Sequence, residues 1–184
     1  MRIALDPGHG MNSRRSGWYD PGACKSGVEE ADLAMEYGRT LKWFLREAGY
    51  DTHLLRIDDQ TGYPYMLRAD VAEEDGCRMF VSLHFNSHTK KTARGVEVLY
   101  RSKSKDRPLA KRVQRELVKA TGFRNRRVQQ RRKLAVLKFS RGPAILIEFG
   151  FISNKREREW LLQRKNRIKA CQAVVRAIKS QVKP

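Results

Sequence analysis

The chain has 184 residues, of which 40% are hydrophobic, and 39 Lys and Arg against 20 Asp and Glu give it a formal net charge of +19. That length suits one domain with a sizeable core, and no apolar run approaches the roughly 20 residues of a membrane-spanning helix. The expectation is a soluble single domain over 1–184 without a separate binding module, and the three cysteines, odd in number and far apart, point away from a disulfide framework or a Cys-x-x-Cys clamp.

Arg2-Ile3-Ala4-Leu5 enters a strand pattern at once, without the charged, apolar and small-residue succession of a secretory signal. Either the protein starts in the cytoplasm or a leader is missing. Leu33, Tyr37, Leu41, Phe44, Leu45 and Ala48 recur at helical spacing before Gly49, which predicts an amphipathic helix over about 31–48. Strand patterns follow at 52–57, 78–83 and 95–100, with a short helix at 66–74. Leu109, Val113 and Leu117 mark another helix, 134–137 and 144–149 read as strands, and apolar positions from Trp160 to Ile178 outline a final long helix. Alternating strands and helices predict an α/β fold: a mostly parallel twisted sheet of about six strands with helices on both faces.

Three of the strand patterns end in residues able to bind or assist a metal ion. They are Asp6-Pro7-Gly8-His9-Gly10, Ser82-Leu83-His84-Phe85-Asn86 and Ile147-Glu148-Phe149-Gly150. Open α/β sheets collect ligands at the carboxyl ends of their strands, so distant residues can converge there. Glu29 and Glu30 begin the first long helix, where carboxylates are favoured by the helix dipole alone. Glu148 differs, because it ends an apolar run where an unpaired ionised carboxylate is costly. Two imidazoles and one carboxylate leave a coordination place for water, as catalytic zinc sites do, and a further carboxylate supplies a general base.

These blocks resemble the zinc-dependent N-acetylmuramoyl-L-alanine amidases of the type 3 group, which includes phage endolysins and bacterial autolysins. The resemblance runs over about residues 2–178 and also takes in Asp20-Pro21-Gly22-Ala23, Gly27-Val28-Glu29-Glu30-Ala31-Asp32-Leu33, Arg68-Ala69-Asp70, Asn125-Arg126-Arg127-Val128 and Glu148-Phe149-Gly150-Phe151-Ile152-Ser153-Asn154. It implies Zn2+ held by His9, Glu30 and His84, with Glu148 as the catalytic carboxylate. Glu30 is preferred to Glu29 because the family's ligand stands two residues before the aspartate matched by Asp32. The implied reaction cleaves the amide joining the lactyl group of N-acetylmuramic acid to the L-alanine of the peptidoglycan stem. The missing signal pattern, taken by itself, suggests a leaderless endolysin, made in the cytoplasm and acting on the wall after release.

Two departures from the family stand out. Residues 11–19 lengthen the loop after His9, and Arg14, Arg15, Trp18 and Tyr19, with Asn86, are candidate substrate-binding residues. Phe85 replaces the small residue usual after the histidine and is expected to narrow the site. From Arg101 to Lys138 there are about fifteen Lys or Arg against two acids, a density that suits an anionic envelope polymer or lipid. Two other readings stay open: a zinc peptidase of different specificity, and a basic nucleic-acid-binding protein, although the charge does not explain Glu148 and no specific nucleic-acid partner is expected. No heptad seam argues against a monomer.

Overall fold

A computed structural model of the chain describes residues 1–58 and 60–183. In chain order the elements are β1 (Arg2–Pro7), β2 (Gly10–Met11), β3 (Tyr19–Asp20), β4 (Cys24–Lys25), β5 (Val28–Glu29), α1 (Glu30–Glu47), β6 (Asp51–Leu54), α2 (Arg68–Glu74), β7 (Met79–Asn86) and β8 (Val96–Tyr100). There follow α3 (Arg107–Thr121), β9 (Asn125–Gln130), a 3₁₀ turn (Ala135–Lys138), β10 (Ala144–Phe151), α4 (Lys155–Leu162) and α5 (Arg164–Lys179). Six strands form one sheet in the order β6-β1-β7-β10-β8-β9. The first four are mutually parallel, while β8 runs antiparallel to β10 and β9 is parallel to β8. The architecture is therefore the predicted α/β domain, with a mixed, mostly parallel sheet.

The central strands carry side chains to two different layers, because successive residues of a strand point to opposite faces. Leu83, Phe85, Ile145, Ile147 and Phe149 join the larger core with α1, α3 and α5. The alternate set, Phe80, Ala144 and Leu146, packs with Ala69 and Ala72 of α2 and with Val136, Leu137 and Phe139. On α1, Leu33, Tyr37, Leu41 and Leu45 repeat every four residues and are all buried, so one stripe faces the sheet. Gly49 then takes a left-handed φ of 87°, and its N–H bonds the carbonyl of Arg46 as the chain leaves the helix. Three long helices thus cover one face. Among the described residues the other has a seven-residue helix and a 3₁₀ turn, a thinner layer that leaves room for a cleft beside the carboxyl ends of β1, β7 and β10.

Several expectations need correction. The apolar run 134–137 is a 3₁₀ turn, because Val136 and Leu137 bury themselves against the face of the sheet instead of extending its edge. A short apolar run carries no period that separates these outcomes. The sixth strand is β9, Asn-Arg-Arg-Val-Gln-Gln, which has one apolar residue and pairs through its backbone at the sheet edge. The final long helix is two helices, broken at Gln163, whose extended backbone (φ −76°, ψ 123°) caps α5. Asn166 holds that corner by donating to Trp160 O at 3.0 Å. The strand expected over 52–57 stops at Leu54.

Candidate metal centre

The pairing of the parallel strands brings the predicted residues together. Glu148 on β10 is opposite His84 on β7 and opposite Glu97 on β8. Residues directly opposite each other share a face, so His84, Glu148 and Glu97 line up across three strands. His9 follows β1 by two residues in a left-handed conformation (φ 63°), and Glu30 opens α1. Two glycines make the approach possible. A Cβ on Gly8 would lie 2.3 Å from Cε1 of His84, and one on Gly22, whose φ is 69°, would lie 2.7 Å from the His9 ring.

The ligand atoms of His9, Glu30 and His84 all lie within 4.8 Å of one another. Glu30 is 5% exposed and spans the two imidazoles, with Oε2 3.0 Å from His9 Nε2 and Oε1 2.8 Å from His84 Nδ1. Backbone N–H groups of Ala23 and Phe85 donate to the same carboxylate oxygens, each at 3.0 Å. Burial pushes the Glu30 carboxyl up, but hydrogen bonds to the two histidines outweigh it and hold the group well below the usual carboxylate range. Burial opposes the charged form of His9 as well, yet Glu30 and Asp20 raise its net pKa. Glu30 rather than Glu29 meets the histidines.

Asp20 contributes what a metal ligand of this kind needs behind it. Its Oδ2 is 2.9 Å from His9 Nδ1, which favours the tautomer with Nδ1 protonated and Nε2 free for an ion. The loop that carries His9 is held from beneath by a buried cation. Arg68, 2% exposed, donates to Asp6 Oδ1 at 2.7 Å, to Pro7 O at 3.2 Å and to His9 O at 2.7 Å. The Ser82 hydroxyl donates to the other Asp6 oxygen at 2.7 Å. Burial raises the Asp6 carboxyl, but Arg68 and Ser82 more than compensate, and its pKa is lowered. Arg56, 1% exposed, ties this loop to α1 by donating to Gly8 O and Ala31 O.

Glu148 is the exception to this saturation. Its Oε2 is buried without a hydrogen-bond partner among the described residues. Burial, reinforced by the neighbouring charges of Glu30 and Glu97, raises its pKa well above the ordinary value. Glu97 itself is 8% exposed and is held by Asn86 Nδ2 at 2.7 Å and Arg126 Nε at 3.3 Å. The donor set of two imidazoles and a carboxylate, with a partnerless carboxyl oxygen beside it, fits a divalent transition-metal ion and a proton acceptor.

A cleft of about 310 Å³ reaches His9 and His84 and is bounded by Arg14, Asp20, Tyr65, Arg68 and the apolar wall of Leu134, Val136 and Leu146. Arg14 is anchored to Asp20 at 3.0 Å. The other candidate substrate contacts do not line this cleft. Arg15 stacks over exposed Trp18 at 4.6 Å, Tyr19 donates to Asp32 at 3.0 Å, and Asn86 is engaged with Glu97. Phe85 does not narrow the site: it is 1% exposed and packs between Tyr37 and Phe149 on the opposite face.

The family model described as N-acetylmuramoyl-L-alanine amidase matches residues 3–180. The chain belongs to that family. Among its relatives, N-acetylmuramoyl-L-alanine amidase LytC of Bacillus subtilis is 29% identical over 94% of this chain, and CwlM of Mycobacterium tuberculosis is 29% identical over 97%. The match covers only 34% and 44% of those two proteins. The catalytic domain of CwlV, an amidase of Bacillus (Paenibacillus) polymyxa var. colistinus, superposes with a TM-score of 0.87 at 25% identity, covering 97% of this chain and 96% of that domain. The amidase-family chain thus carries a His-Glu-His metal-binding triad in the fold of a known catalytic domain. Asp20, Arg68 and Glu97 are site residues to which the sequence alone assigns no role. For Glu97 the signal existed, since a carboxylate inside Val96-Glu97-Val98-Leu99 has the same oddity as Glu148.

Proposed function

We propose that the chain is a zinc-dependent peptidoglycan hydrolase that cuts the amide between the lactyl carbonyl of N-acetylmuramic acid and the amino group of L-alanine. The observation that carries this reading is the partnerless buried oxygen of Glu148 beside the triad of His9, Glu30 and His84. These three residues would hold the ion. Bound there, zinc supplies a Lewis acid for the amide carbonyl and lowers the pKa of water toward roughly 7.

Glu148 does the proton work. Its uncommitted oxygen accepts a proton from the attacking water and returns it to the departing alanine nitrogen, without which an amine is a poor leaving group. Burial, with Glu30 and Glu97 nearby, raises the pKa of this carboxyl, which makes its ionised form a stronger proton acceptor. Asp20 keeps His9 in the ligating tautomer, and Arg68 holds the backbone of that residue in place. Leu134, Val136 and Leu146 exclude water from one wall of the cleft, while Arg14, anchored through Nε to Asp20, would offer its remaining N–H groups to a carboxylate of the stem peptide.

Mass spectrometry of digested peptidoglycan tests the assignment. Stem peptides beginning with a free L-alanine amine, and glycan strands ending their lactyl groups as carboxylates, are the expected products. New reducing sugar ends or stems cut internally would contradict it.

A further inference from the structure

The charge of this chain is organised on α3 and β9. Arg107, Lys111, Arg115 and Lys119 follow one another at four-residue intervals, so they stand on one side of α3, all exposed. Arg127, in a left-handed conformation (φ 68°), adds a fifth cation from the edge strand β9. Together they line a groove of about 620 Å³ whose remaining walls are Gln114, Asn125 and the small apolar Val118 and Val128. Only Arg115 has an ion pair among the described residues, a long one to Glu116 at 3.5 Å that Glu116 shares with Arg176 at 3.5 Å.

Such a ladder is unfavourable for the isolated helix. Like charges four residues apart repel by roughly 0.2–0.5 kcal/mol per pair. The first turn of α3 carries no acid, so its amino-terminal cations also oppose the helix dipole. An anionic polymer removes both penalties. With a rise of about 1.5 Å per residue, cations four positions apart repeat every 6 Å or so along the groove, a spacing suited to a flexible chain with one phosphate per short repeat.

The walls discriminate between polymers. Grooves for single-stranded nucleic acid pair basic side chains with aromatic platforms on which bases stack. Among the described residues no aromatic side chain lines the groove. Its polar floor is preorganised: Gln114 Nε2 donates to Asn125 Oδ1 and to Val96 O, each at 2.8 Å, which leaves Gln114 Oε1 without a partner among the described residues. No described residue lines both this groove and the metal-site cleft, so occupation of the one leaves the other open.

We propose that the α3–β9 groove is a second binding site, for a linear polyol-phosphate polymer of the kind that makes cell envelopes anionic, and that it holds the hydrolase on its insoluble substrate. The location gains its purpose from the hydrolase reading above, but the binding itself is independent of turnover. Binding of soluble poly(glycerol phosphate) to the full chain is measured by calorimetry at two salt concentrations. The variants are Lys111→Gln/Arg115→Gln/Lys119→Gln and a control that removes the same charge from exposed α5 positions, Lys165→Gln/Lys169→Gln/Lys179→Gln.

The expected result is a loss of tenfold or more in affinity, with a shallower salt dependence, for the α3 variant and less than threefold for the control. Thermal stability of the α3 variant should be unchanged or higher, since the repulsion is relieved. Equal losses in both variants would overturn the proposal in favour of diffuse net charge. Binding of an oligo(dT) of equal charge tenfold tighter than the polyol phosphate would overturn it in favour of nucleic acid. Hydrolysis of a small soluble muramoyl peptide should be the same in wild type and α3 variant, so failure of the groove and failure of the hydrolase reading give different results.

Discussion

Replacing Arg68 by Met removes the only cation paired with Asp6 among the described residues while keeping most of the side-chain volume. Asp6 is 0% exposed, and Arg68 reaches it at 2.7 Å with both groups enclosed. Leaving one member of such a pair costs about 3–5 kcal/mol. The carboxyl can escape that penalty by taking a proton, and the cost of doing so has a ceiling set by pH. From an unfolded pKa of about 3.9, neutralising it costs about 4 kcal/mol at pH 7 and about 1 kcal/mol at pH 4.5. The carbonyls of Pro7, His9 and Tyr63 also lose their donor, which adds roughly 1–3 kcal/mol with no pH dependence.

The sign is fixed by the direction of each pKa. In the wild type the Asp6 pKa is lowered, so its stabilisation is complete above about pH 3.9 and is lost only as the pH falls through the folded value. In the variant the folded pKa rises, so destabilisation grows as pH increases from 4.5 to 7. Urea unfolding of both proteins, read by far-ultraviolet circular dichroism, should therefore show a stability difference about 3 kcal/mol larger at pH 7 than at pH 4.5. Adding Asp6→Asn should abolish that pH dependence. A difference equal at the two pH values to within about 0.5 kcal/mol would refute the reasoning.

Glu148→Gln should retain metal and fold while turnover falls by about 10²–10⁴. Because the folded pKa of Glu148 is raised, the native carboxylate destabilises the fold above its unfolded pKa, so the amide should leave the melting temperature at pH 7 unchanged or higher; a marked drop would show that Glu148 is a structural partner. Gly8→Ala places a methyl where the His84 ring stands, and equilibrium titration of the metal-free protein should show zinc affinity reduced by at least about tenfold. Wild-type affinity in that variant would mean that the ring is not a ligand in its present position.

The fold was legible where the chain is apolar and periodic. The strands ending near His9, His84 and Glu148, and the stripe of α1, follow from spacing alone. What escaped depends on partners remote in sequence. β9 is almost wholly polar because it needs only the backbone of β8, and the run at 134–137 became a 3₁₀ turn because the sheet face, not its edge, was available. Within the site, the isolated histidines and Glu148 were conspicuous, whereas Asp20 and Arg68 act by holding other groups. Their roles appear only once the loops of β1 and α2 meet. The break at Gln163 was hidden because the apolar pattern runs on through both helices, while only the backbone angle changes.

The most direct measurement is anomalous diffraction at the zinc edge from crystals of the protein grown with zinc. One strong peak is expected, with side-chain atoms of His9, Glu30 and His84 each about 2.0–2.2 Å away. A peak bound by other residues, or none at this triad, would contradict the account.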